Sequence, residues 1–239
     1  MLDKTSSTPL HIQLTNLLRQ RIVSFDLEPD SQLPSEREMC DQYGISRITV
    51  RKAMAALQNE GLIYTTVGKG TYVAVQKLKE ELRPLSSFTE DLERRGLVAS
   101  SQVLNAAIVS TDEDLAGKLR VTQGSEVVLI HRLRLANGSP IAIQTTWLPH
   151  EYCPEILHHD LAARSIFDIL RMEYGLTLAH ADTDITASLA RFEECRLLGV
   201  VPPSAVLVCD QTTYLDSGEV IEFVHSIFRG DKYTLQTHL

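Results

Sequence analysis

Residues 34–71 read PSEREMCDQYGISRITVRKAMAALQNEGLIYTTVGKGT, and this stretch decides the fold of the first part of the chain. Ser35, with Glu38 three residues later, forms a capping box, which predicts that a helix begins there. Gly44 then supplies the left-handed residue that ends this helix. Ser46 stands where it can cap a second helix directly afterwards. The stretch therefore predicts two short capped helices joined by a tight turn.

The second helix has an apolar stripe and a cationic remainder. Its apolar residues recur at the spacing i, i+3, i+4 and i+7, namely Val50, Ala53, Met54 and Leu57. The polar and basic residues off this stripe are Arg47, Thr49, Arg51 and Lys52. No acidic residue occurs between Asp41 and Glu60. These features indicate a helix-turn-helix; the alternative is a small helical domain with a solvated basic face.

Two β-rich runs follow the second helix. Residues 62–67 and 71–75 are joined by Gly68, Lys69 and Gly70, which predicts a hairpin with a basic tip. A hairpin in this place is the wing of a winged helix-turn-helix. Upstream, an amphipathic helix is predicted to close the small core through Leu10, Leu14, Leu17, Leu18, Ile22 and Phe25.

The cationic face suits DNA. Residues in the first turn of a recognition helix point into the major groove. Arg47 and Arg51 lie one turn apart, so either can hold guanine O6 and N7, while Thr49 can reach a base edge or a phosphate. Arg37 and Lys52 are better placed for backbone phosphates. The alternative for each single side chain is a solvated charge.

Four motifs carry a resemblance across residues 1–75: PSERE, GISRITVRKA, EGLI and GKGTYV resemble the N-terminal signature of the GntR transcription regulators. The resemblance implies DNA contacts at Arg37, Arg47, Thr49, Arg51 and Gly68. Lys69 and the amides of Gly68 and Gly70 are expected near the minor groove or its phosphates. The full set of candidate DNA-binding residues is Ser35, Arg37, Ser46, Arg47, Thr49, Arg51, Lys52, Gly68, Lys69 and Gly70.

Composition indicates a globular protein of two domains, with 239 residues, 44% of them hydrophobic and 23% charged. No apolar run approaches the roughly 20 residues of a membrane span. The N-terminal MLDKTSS lacks the apolar region of a signal peptide, so we expect a cytoplasmic protein with no membrane partner. The four cysteines form no C-x-x-C pair, which predicts free, mostly buried thiols. We expect no cofactor and no metal.

Charge is distributed unevenly along the chain. Residues 1–75 are balanced in charge, and residues 76–239 carry the whole net charge of −8. A pI of about 5.5 is unusual for a nucleic-acid-binding protein. Phosphate contact must therefore depend on a local cluster at residues 47–52 and 69. We expect weak non-specific binding, strong salt dependence and reliance on two half-sites.

The second part of the chain is predicted to be α+β. Residues 76–84, QKLKEELRP, are charged and lack apolar periodicity, which indicates a linker before a domain at residues 85–239. Thr111 with Asp114 is predicted to cap one helix. Asn137-Gly138 between two apolar runs is a strong hairpin signal. Hairpins with interspersed helices predict an antiparallel sheet flanked by helices.

Four motifs in this half resemble the UTRA effector-sensing domain of the HutC subfamily: LSSFTEDLERRG, RLRLANGSPIAI, RSIFDIL and EFVHSIFRGDKY. Their order behind a GntR-like segment adds to the specificity of each. The resemblance implies an α+β fold like that of chorismate lyase, an effector-binding function and dimerisation through this domain.

A ligand site follows from the strand pattern. Arg132 and Arg134 project from one face of a strand, about 7 Å apart. Two cations there repel each other unless an anion lies between them; the alternative is pairing with Glu or Asp of a neighbouring strand. On the last long strand Glu222 shares a face with Ser226 and Phe228. A carboxylate in an apolar run needs partners, which ligand hydroxyls or the arginines can supply.

Hydroxyls near two predicted helix starts suit a phosphate or carboxylate. These are Ser86, Ser87 and Thr89 at one helix and Ser165 at another. The alternative is plain helix capping. At the sequence level the two interpretations stay open.

The UTRA resemblance implies that these positions bind a phosphorylated sugar, as in domains of the N-acetylglucosamine-repressor type. Arg132, Arg134, Ser165 and Glu222 match that pattern. Three positions depart from it, because Gln144 replaces a frequent Glu, and Phe167 and Phe228 replace tyrosines. The full set of candidate effector-binding residues is Ser87, Phe88, Thr89, Arg132, Arg134, Gln144, Ser165, Phe167, Glu222, Phe228 and Tyr233.

The sequence thus predicts a homodimeric repressor that binds double-stranded DNA at a palindromic operator and is released by a small anionic effector. An amino-sugar phosphate is the first candidate, and urocanate or another phosphorylated sugar are the alternatives. An activator fits equally well, because operator position decides the sign. The alternative from another class is a chorismate-lyase-like enzyme. We predict that the protein is not an enzyme, because its sequence contains no G-x-S-x-G or H-E-x-x-H motif, no Walker loop and no convincing pair of catalytic carboxylates.

Overall fold

The computed structural model describes residues 2–24, 26–66, 68–74, 78–81 and 85–236. The chain divides into two compact units, Met1–Gln76 and Lys77–Leu239. The division into functional domains at residues 75 and 85 stays a prediction. Within the described part, no helix is both long and apolar enough to cross a membrane.

The first unit is a winged helix-turn-helix, as predicted. Its elements are α1 Leu10–Val23, α2 Glu36–Tyr43, α3 Arg47–Asn59, β1 Ile63–Thr66 and β2 Gly70–Val73. The capping box at the start of α2 is present, and Gly44 ends that helix with φ of 62°. The Ser46 hydroxyl accepts a hydrogen bond from the Thr49 amide at 3.2 Å and so begins α3. Phe25, Val67 and Val75, named in the predicted elements, lie outside the described residues.

One core holds the three helices and the wing together. Val50, Ala53 and Leu57 of α3 are fully buried, whereas Met54 of the predicted stripe is partly buried. The same cluster takes in Leu14, Leu18 and Ile22 of α1, Met39 of α2, Ile63 of β1 and Val73 of β2. Each large apolar side chain buried in this way contributes roughly 1.5–3 kcal/mol. The core therefore fixes which face of α3 remains exposed.

The second unit is built on a six-stranded antiparallel sheet of order β4-β5-β6-β9-β8-β7. Its strands are β4 Ala99–Ser110, β5 Glu126–Ala136, β6 Ser139–Pro149, β7 Leu178–Leu189, β8 Ala205–Leu215 and β9 Val220–Arg229. The helices are α4 Phe88–Arg94, α5 Glu113–Leu119, α6 Ile166–Met172 and α7 Phe192–Leu198, with single 3-10 turns at His150–Tyr152 and Ile156–His158. This confirms the predicted α+β class.

The predicted hairpin between β5 and β6 is confirmed. Asn137 and Gly138 both have positive φ, 47° and 80°, as a two-residue hairpin turn with the twist of the strands requires. The turn fixes the register that places Arg132 opposite Gln144. A one-residue slip would move both arginines of β5 to the other face of the sheet.

Two local predictions were wrong. The segment predicted to be only a linker contains a strand, β3 Leu78–Glu81, which pairs in parallel with β10 Tyr233–Gln236. Backbone pairing needs no apolar periodicity, so the charged composition did not reveal it. Residues 76, 77 and 82–84 of that segment lie outside the described residues. Asp112, not Thr111, caps α5 by accepting a hydrogen bond from the Leu115 amide at 2.8 Å.

None of the four cysteines forms a disulfide, as predicted: Cys153, Cys195 and Cys209 are buried, and Cys40 is half-buried.

Candidate functional site

The start of α3 presents a free arginine to solvent. Arg47 is exposed and has no hydrogen-bond or ion-pair partner among the residues that the structure describes. Lys52, one turn further along, is also exposed. Arg37 on α2 and Lys69 at the tip of the wing are exposed as well. The predicted basic residues thus lie at the surface, where they can meet phosphates or base edges.

Arg51 differs from the other basic residues because an acidic partner holds it. Its Nε lies 2.9 and 3.0 Å from the two carboxylate oxygens of Glu36 on α2. The sequence analysis did not find this ion pair, because Glu36 lies outside the acid-free interval between Asp41 and Glu60. The two side chains are 68% and 42% exposed, so the pair contributes at most about 1 kcal/mol. A phosphate or a base can therefore displace the carboxylate.

The predicted serines and threonine of this surface also cap helices. Ser35 accepts a hydrogen bond from the Glu38 amide at 3.3 Å, which completes the capping box of α2. The hydroxyls of Ser46 and Thr49 lie 2.8 Å apart at the start of α3. Each serine hydroxyl can still meet a phosphate, but its first role is to define where a helix begins.

A glutamine outside the predicted set supports the wing. Gln32 Nε2 donates a hydrogen bond to the Lys69 carbonyl at 2.9 Å. Gly68 has φ of 75° and Gly70 has φ of 121°, and a Cβ at Gly70 would lie 2.5 Å from Gln32 Nε2. The wing tip therefore requires glycine at both positions.

Ile48 is a further candidate DNA-contacting residue that the sequence analysis did not name; it lies between Arg47 and Thr49 and is 70% exposed. Its signal in the sequence is an apolar residue off the buried stripe, where it can contact a thymine methyl.

The second unit contains a cavity of about 100 Å³, which is room for several water molecules. The central strands form its floor, and the first residues of α4 and α6 form its other wall. Ten predicted effector-binding residues line it: Ser87, Phe88, Thr89, Arg132, Arg134, Gln144, Ser165, Phe167, Glu222 and Phe228. The structure thus brings together residues that are more than 130 positions apart in sequence.

Tyr233 is the predicted effector-binding residue that the structure does not bring to the cavity. It is 2% exposed and stacks on Phe228, with ring centroids 4.0 Å apart. Phe228 also lies 6.4 Å from Phe88, centroid to centroid. Tyr233 therefore supports the aromatic wall from behind.

The two arginines of β5 are buried and only partly satisfied. Both are 3% exposed. Arg132 Nη1 donates a hydrogen bond to the Leu161 carbonyl at 3.2 Å, and Arg134 Nη2 donates one to Thr89 Oγ1 at 3.0 Å. The Nε of each is buried without an acceptor among the described residues. A buried donor without a partner is costly, so each Nε marks a place for an acceptor.

Glu222 faces the same cavity without pairing directly with either arginine. It is 4% exposed and accepts a hydrogen bond from Thr213 Oγ1 at 3.0 Å. Burial raises the pKa of Glu222 to about 7, although Thr213 and the two arginines favour its ionised form. Burial lowers the pKa of Arg132 to about 10, and burial together with the neighbouring Arg132 lowers the pKa of Arg134 well below its ordinary value. The alternative of a direct salt bridge is not found in the described part of the chain.

Neutral polar side chains cover the rest of the floor. Gln144 Nε2 donates a hydrogen bond to Ser226 Oγ at 3.2 Å. The lining residues outside the predicted set include Thr146, Thr183, Cys209 and Gln211. They occupy alternate positions on β6, β7 and β8, so a known strand order would have found them. Neutral amide and hydroxyl side chains of this kind are better suited to hydrogen-bond the hydroxyl groups of a sugar than to bind a charged ligand group.

An ion pair joins the two helices above the sheet. Arg171 Nη1 of α6 lies 2.9 Å from Glu90 Oε1 of α4, and Glu90 also closes the capping box with Ser87. Ser165 accepts a hydrogen bond from the Asp168 amide at 3.4 Å, so the capping interpretation holds for both serines. Each helix has only seven residues, so its backbone dipole is short and the side chains are the main groups that can contact a ligand.

Comparison with known proteins identifies both halves of the chain. Residues 11–73 match the bacterial regulatory proteins of the gntR family, and residues 94–234 match the UTRA domain. The HTH-type transcriptional repressor NagR of Bacillus subtilis is 37% identical over 233 residues, which are 98% of this chain and 96% of NagR. The mannosyl-D-glycerate transport/metabolism system repressor MngR of Escherichia coli is 27% identical over 94% of this chain and 93% of its own.

A solved structure agrees. PhnF from Mycobacterium smegmatis superposes with a TM-score of 0.72 and 26% identity, over 95% of this chain and 98% of PhnF. The chain therefore belongs to the GntR family of bacterial transcription regulators, of the HutC type that joins a winged helix-turn-helix to a UTRA domain.

Proposed function

We propose that the protein is a homodimeric repressor that binds a palindromic operator through α3 and the wing, and that a small anion in the cavity of the second unit releases it. The observation that carries the effector proposal is the pair of buried arginines, Arg132 and Arg134, whose Nε donors lack acceptors. The relatives named as repressors support the direction of control.

The charge balance of the cavity favours an anionic ligand. Burial of an uncompensated ion costs several kcal/mol. Two guanidinium groups face the cavity against one carboxylate, Glu222. A phosphate or carboxylate beside Arg132 and Arg134 would accept from both Nε groups and neutralise the excess. Charge-assisted hydrogen bonds of this kind are roughly twice as strong as neutral ones.

The remaining lining suggests a sugar on that anion. Gln144, Ser226 and Gln211 offer amide and hydroxyl groups, and Phe88 and Phe228 offer flat apolar faces. An amino-sugar phosphate is our first candidate. A relative named for mannosyl-D-glycerate, a sugar that carries a carboxylate, supports a sugar-linked anion. Another phosphorylated sugar and urocanate are the remaining candidates.

Phenylalanine at positions 167 and 228 reduces the number of hydrogen bonds that the cavity can offer to a ligand. Neither ring can donate or accept a hydrogen bond, and each hydroxyl that a tyrosine would add is worth about 0.5–1.5 kcal/mol. We therefore propose that the anion supplies most of the affinity, and that Gln144 with Ser226 supplies the selectivity among sugars.

The effector must act by shifting a population. A ligand changes an equilibrium only if its affinity differs between the DNA-competent and the incompetent arrangement. One half-site gives little specificity, so two copies of α3 on a palindrome are expected. The operator is chromosomal DNA, so we place the protein in the cytoplasm. We also propose that the cavity releases its ligand unchanged.

A thermal-shift screen followed by a mobility-shift titration tests this proposal. We expect glucosamine 6-phosphate or N-acetylglucosamine 6-phosphate to stabilise the protein, by about 2.7 kcal/mol at a hundred times Kd. The same compound should release the protein from DNA taken from upstream of its own gene. Glucose 6-phosphate and urocanate are the comparison ligands, and the recovered ligand should be unaltered. Stabilisation by none of these anions, or turnover of one, would contradict the proposal.

A further inference from the structure

The cavity of the second unit contains a carboxylate, Glu222, in addition to the two arginines that would bind an anion. Arg132 and Arg134 come from β5, and Glu222 comes from β9, with β6 between the two strands. Glu222 is buried and accepts one hydrogen bond, from Thr213. It forms no ion pair with either arginine in the described part of the chain. The carboxylate therefore compensates the arginines at a distance and competes with any ligand anion for that role.

We propose that Glu222 matches the charge of the cavity to the charge of its ligand: it takes up one proton when a dianion binds beside Arg132 and Arg134, and it stays ionised when a monoanion binds. This inference rests on the proposed effector function of the cavity. It makes Glu222 a specificity-determining residue whose protonation state depends on the ligand.

The charge balance of the four groups supports the proposal. Two guanidinium groups, an ionised Glu222 and a monoanion sum to zero. Two guanidinium groups, a protonated Glu222 and a dianion also sum to zero. The other combinations leave a net charge in a buried cavity, which is costly. The proton comes from solvent and adds to a carboxylate oxygen of Glu222, and the Thr213 hydroxyl can then accept that proton in a hydrogen bond.

The titration range of Glu222 makes this exchange possible near neutrality. Burial raises its pKa to about 7, so the free cavity holds the ionised form at pH 8. A dianion nearby raises that pKa further, because like charges disfavour the ionised form. The bound cavity at pH 8 then holds the protonated form, and binding takes up close to one proton.

The other titratable groups around the cavity have partners or lie on the opposite face. Glu90 of α4 and Arg171 of α6 pair with each other, and Asp91 of α4 pairs with Arg94. His225 of β9 and Asp210 of β8 pair with each other, and alternation places them on the opposite face from Glu222. Cys209 of β8 also lines the cavity, and His131 of β5, next to Arg132 and so on the opposite face of the sheet, contacts Thr145 through its ring.

Two esters of the same sugar distinguish binding of a dianion from binding of a monoanion. N-acetylglucosamine 6-phosphate is a dianion at pH 8, because the second pKa of a phosphate ester is about 6. N-acetylglucosamine 6-sulfate has the same shape and one charge. We would titrate each into the full-length protein by calorimetry in two buffers of different ionisation enthalpy. The phosphate should take up close to one proton, and its Kd should rise about tenfold from pH 7.5 to 8.5. The sulfate should take up none.

Two variants test whether Glu222 is the group that takes up the proton when the phosphate binds. In Glu222→Gln the phosphate should bind without proton uptake, and its Kd should not change between pH 7.5 and 8.5. In Thr213→Val the carboxylate loses its hydrogen bond, so the rise in Kd should begin at a higher pH. Proton uptake through Arg132 would survive in Glu222→Gln and would grow toward pH 10, where burial places the pKa of that arginine.

The outcomes are distinct. Equal proton uptake for the two esters, or uptake that persists in Glu222→Gln, would overturn the inference while leaving the effector function intact. Binding of neither ester to the folded protein would overturn the proposed amino-sugar effector and the inference with it.

Discussion

Arg134 Nη2 donates a hydrogen bond to Thr89 Oγ1 at 3.0 Å, which joins the C-terminal part of β5 to the first turn of α4. The same guanidinium lies 4.6 Å from the centroid of the Phe88 ring. A ligand anion that pulls on Arg134 therefore also acts on α4, the first helix of the second unit. The contact therefore ties the position of the Arg134 side chain to the start of α4.

Replacement of Arg134 by methionine should separate stability from ligand response. The variant removes a buried cation with an unpaired Nε, so we expect the melting temperature of the ligand-free protein to stay level or rise. The stabilisation by a sugar phosphate should disappear. Differential scanning fluorimetry with and without ligand measures both effects. Arg196→Met is the matched control, because Arg196 is exposed and pairs with Glu193 outside the cavity; loss of the ligand response in both variants would count against a specific role.

Replacement of Arg47 by alanine should abolish operator binding and leave thermal melting unchanged. Arg47 is exposed in the first turn of α3 and has no partner in the described part of the chain. A bidentate contact with guanine is worth about 1–3 kcal/mol per half-site, so a dimer on two half-sites loses about 2–6 kcal/mol, or roughly thirtyfold or more in affinity. Arg19→Ala removes the same charge from α1, where Arg19 pairs with Glu60. Unchanged specific binding by Arg47→Ala in a mobility-shift titration would exclude Arg47 as a base-reading residue.

Release of Arg51 from Glu36 should strengthen DNA binding. In Glu36→Gln the guanidinium loses its partner carboxylate and becomes available to a phosphate. We expect tighter binding and a salt dependence steeper by about one counterion per half-site, with a change in unfolding free energy below about 1 kcal/mol. Asp41→Asn is the control, since it removes one negative charge from α2 without releasing an arginine. An equal gain in the two variants would mean that net charge alone is responsible.

The stability of the ligand-free protein should fall with rising pH because of Glu222. Its folded-state pKa of about 7 lies above the ordinary 4.5, so its contribution is complete below pH 4.5 and is lost as pH rises through 7. The variant Glu222→Gln has no ionisable group at this position, so its free energy of unfolding does not fall in this way as pH rises. We therefore expect the variant to gain stability relative to the natural chain between pH 5 and 8, by roughly 2.5 kcal/mol. Urea unfolding at both pH values measures the difference, and a constant gap between the two proteins would contradict the shifted titration.

Local chemistry made the winged helix predictable from the sequence. Ser35, Gly44 and Ser46 fix the helix ends through contacts within a few residues, so spacing alone was enough. The same holds for the Asn137-Gly138 turn and hence for the common face of Arg132 and Arg134. Features that depend on distant partners were not predictable. The Arg51 ion pair with Glu36 and the pairing of β3 with β10 required the tertiary fold.

The cavity shows the same division. Alternation along one strand placed Glu222 with Ser226 and Phe228, but it could not place them opposite the arginines. That step needs the strand order β5-β6-β9-β8, in which β6 and β9 are neighbours in the sheet although two other strands, β7 and β8, lie between them in sequence. Residues of β7 and β8 such as Thr183 and Gln211 were missed for this reason. Strand alternation also does not show that Tyr233 stacks on Phe228 rather than lining the cavity.

The central claim is that an anion in the cavity controls DNA binding, and operator release followed by fluorescence anisotropy tests it most directly. The full-length protein on a labelled operator should be released completely as N-acetylglucosamine 6-phosphate or glucosamine 6-phosphate is added. Arg134→Met should bind the same operator without ligand and stay bound at every ligand concentration, while Arg196→Met is released like the natural chain. Release of Arg134→Met at the natural concentration would contradict the account.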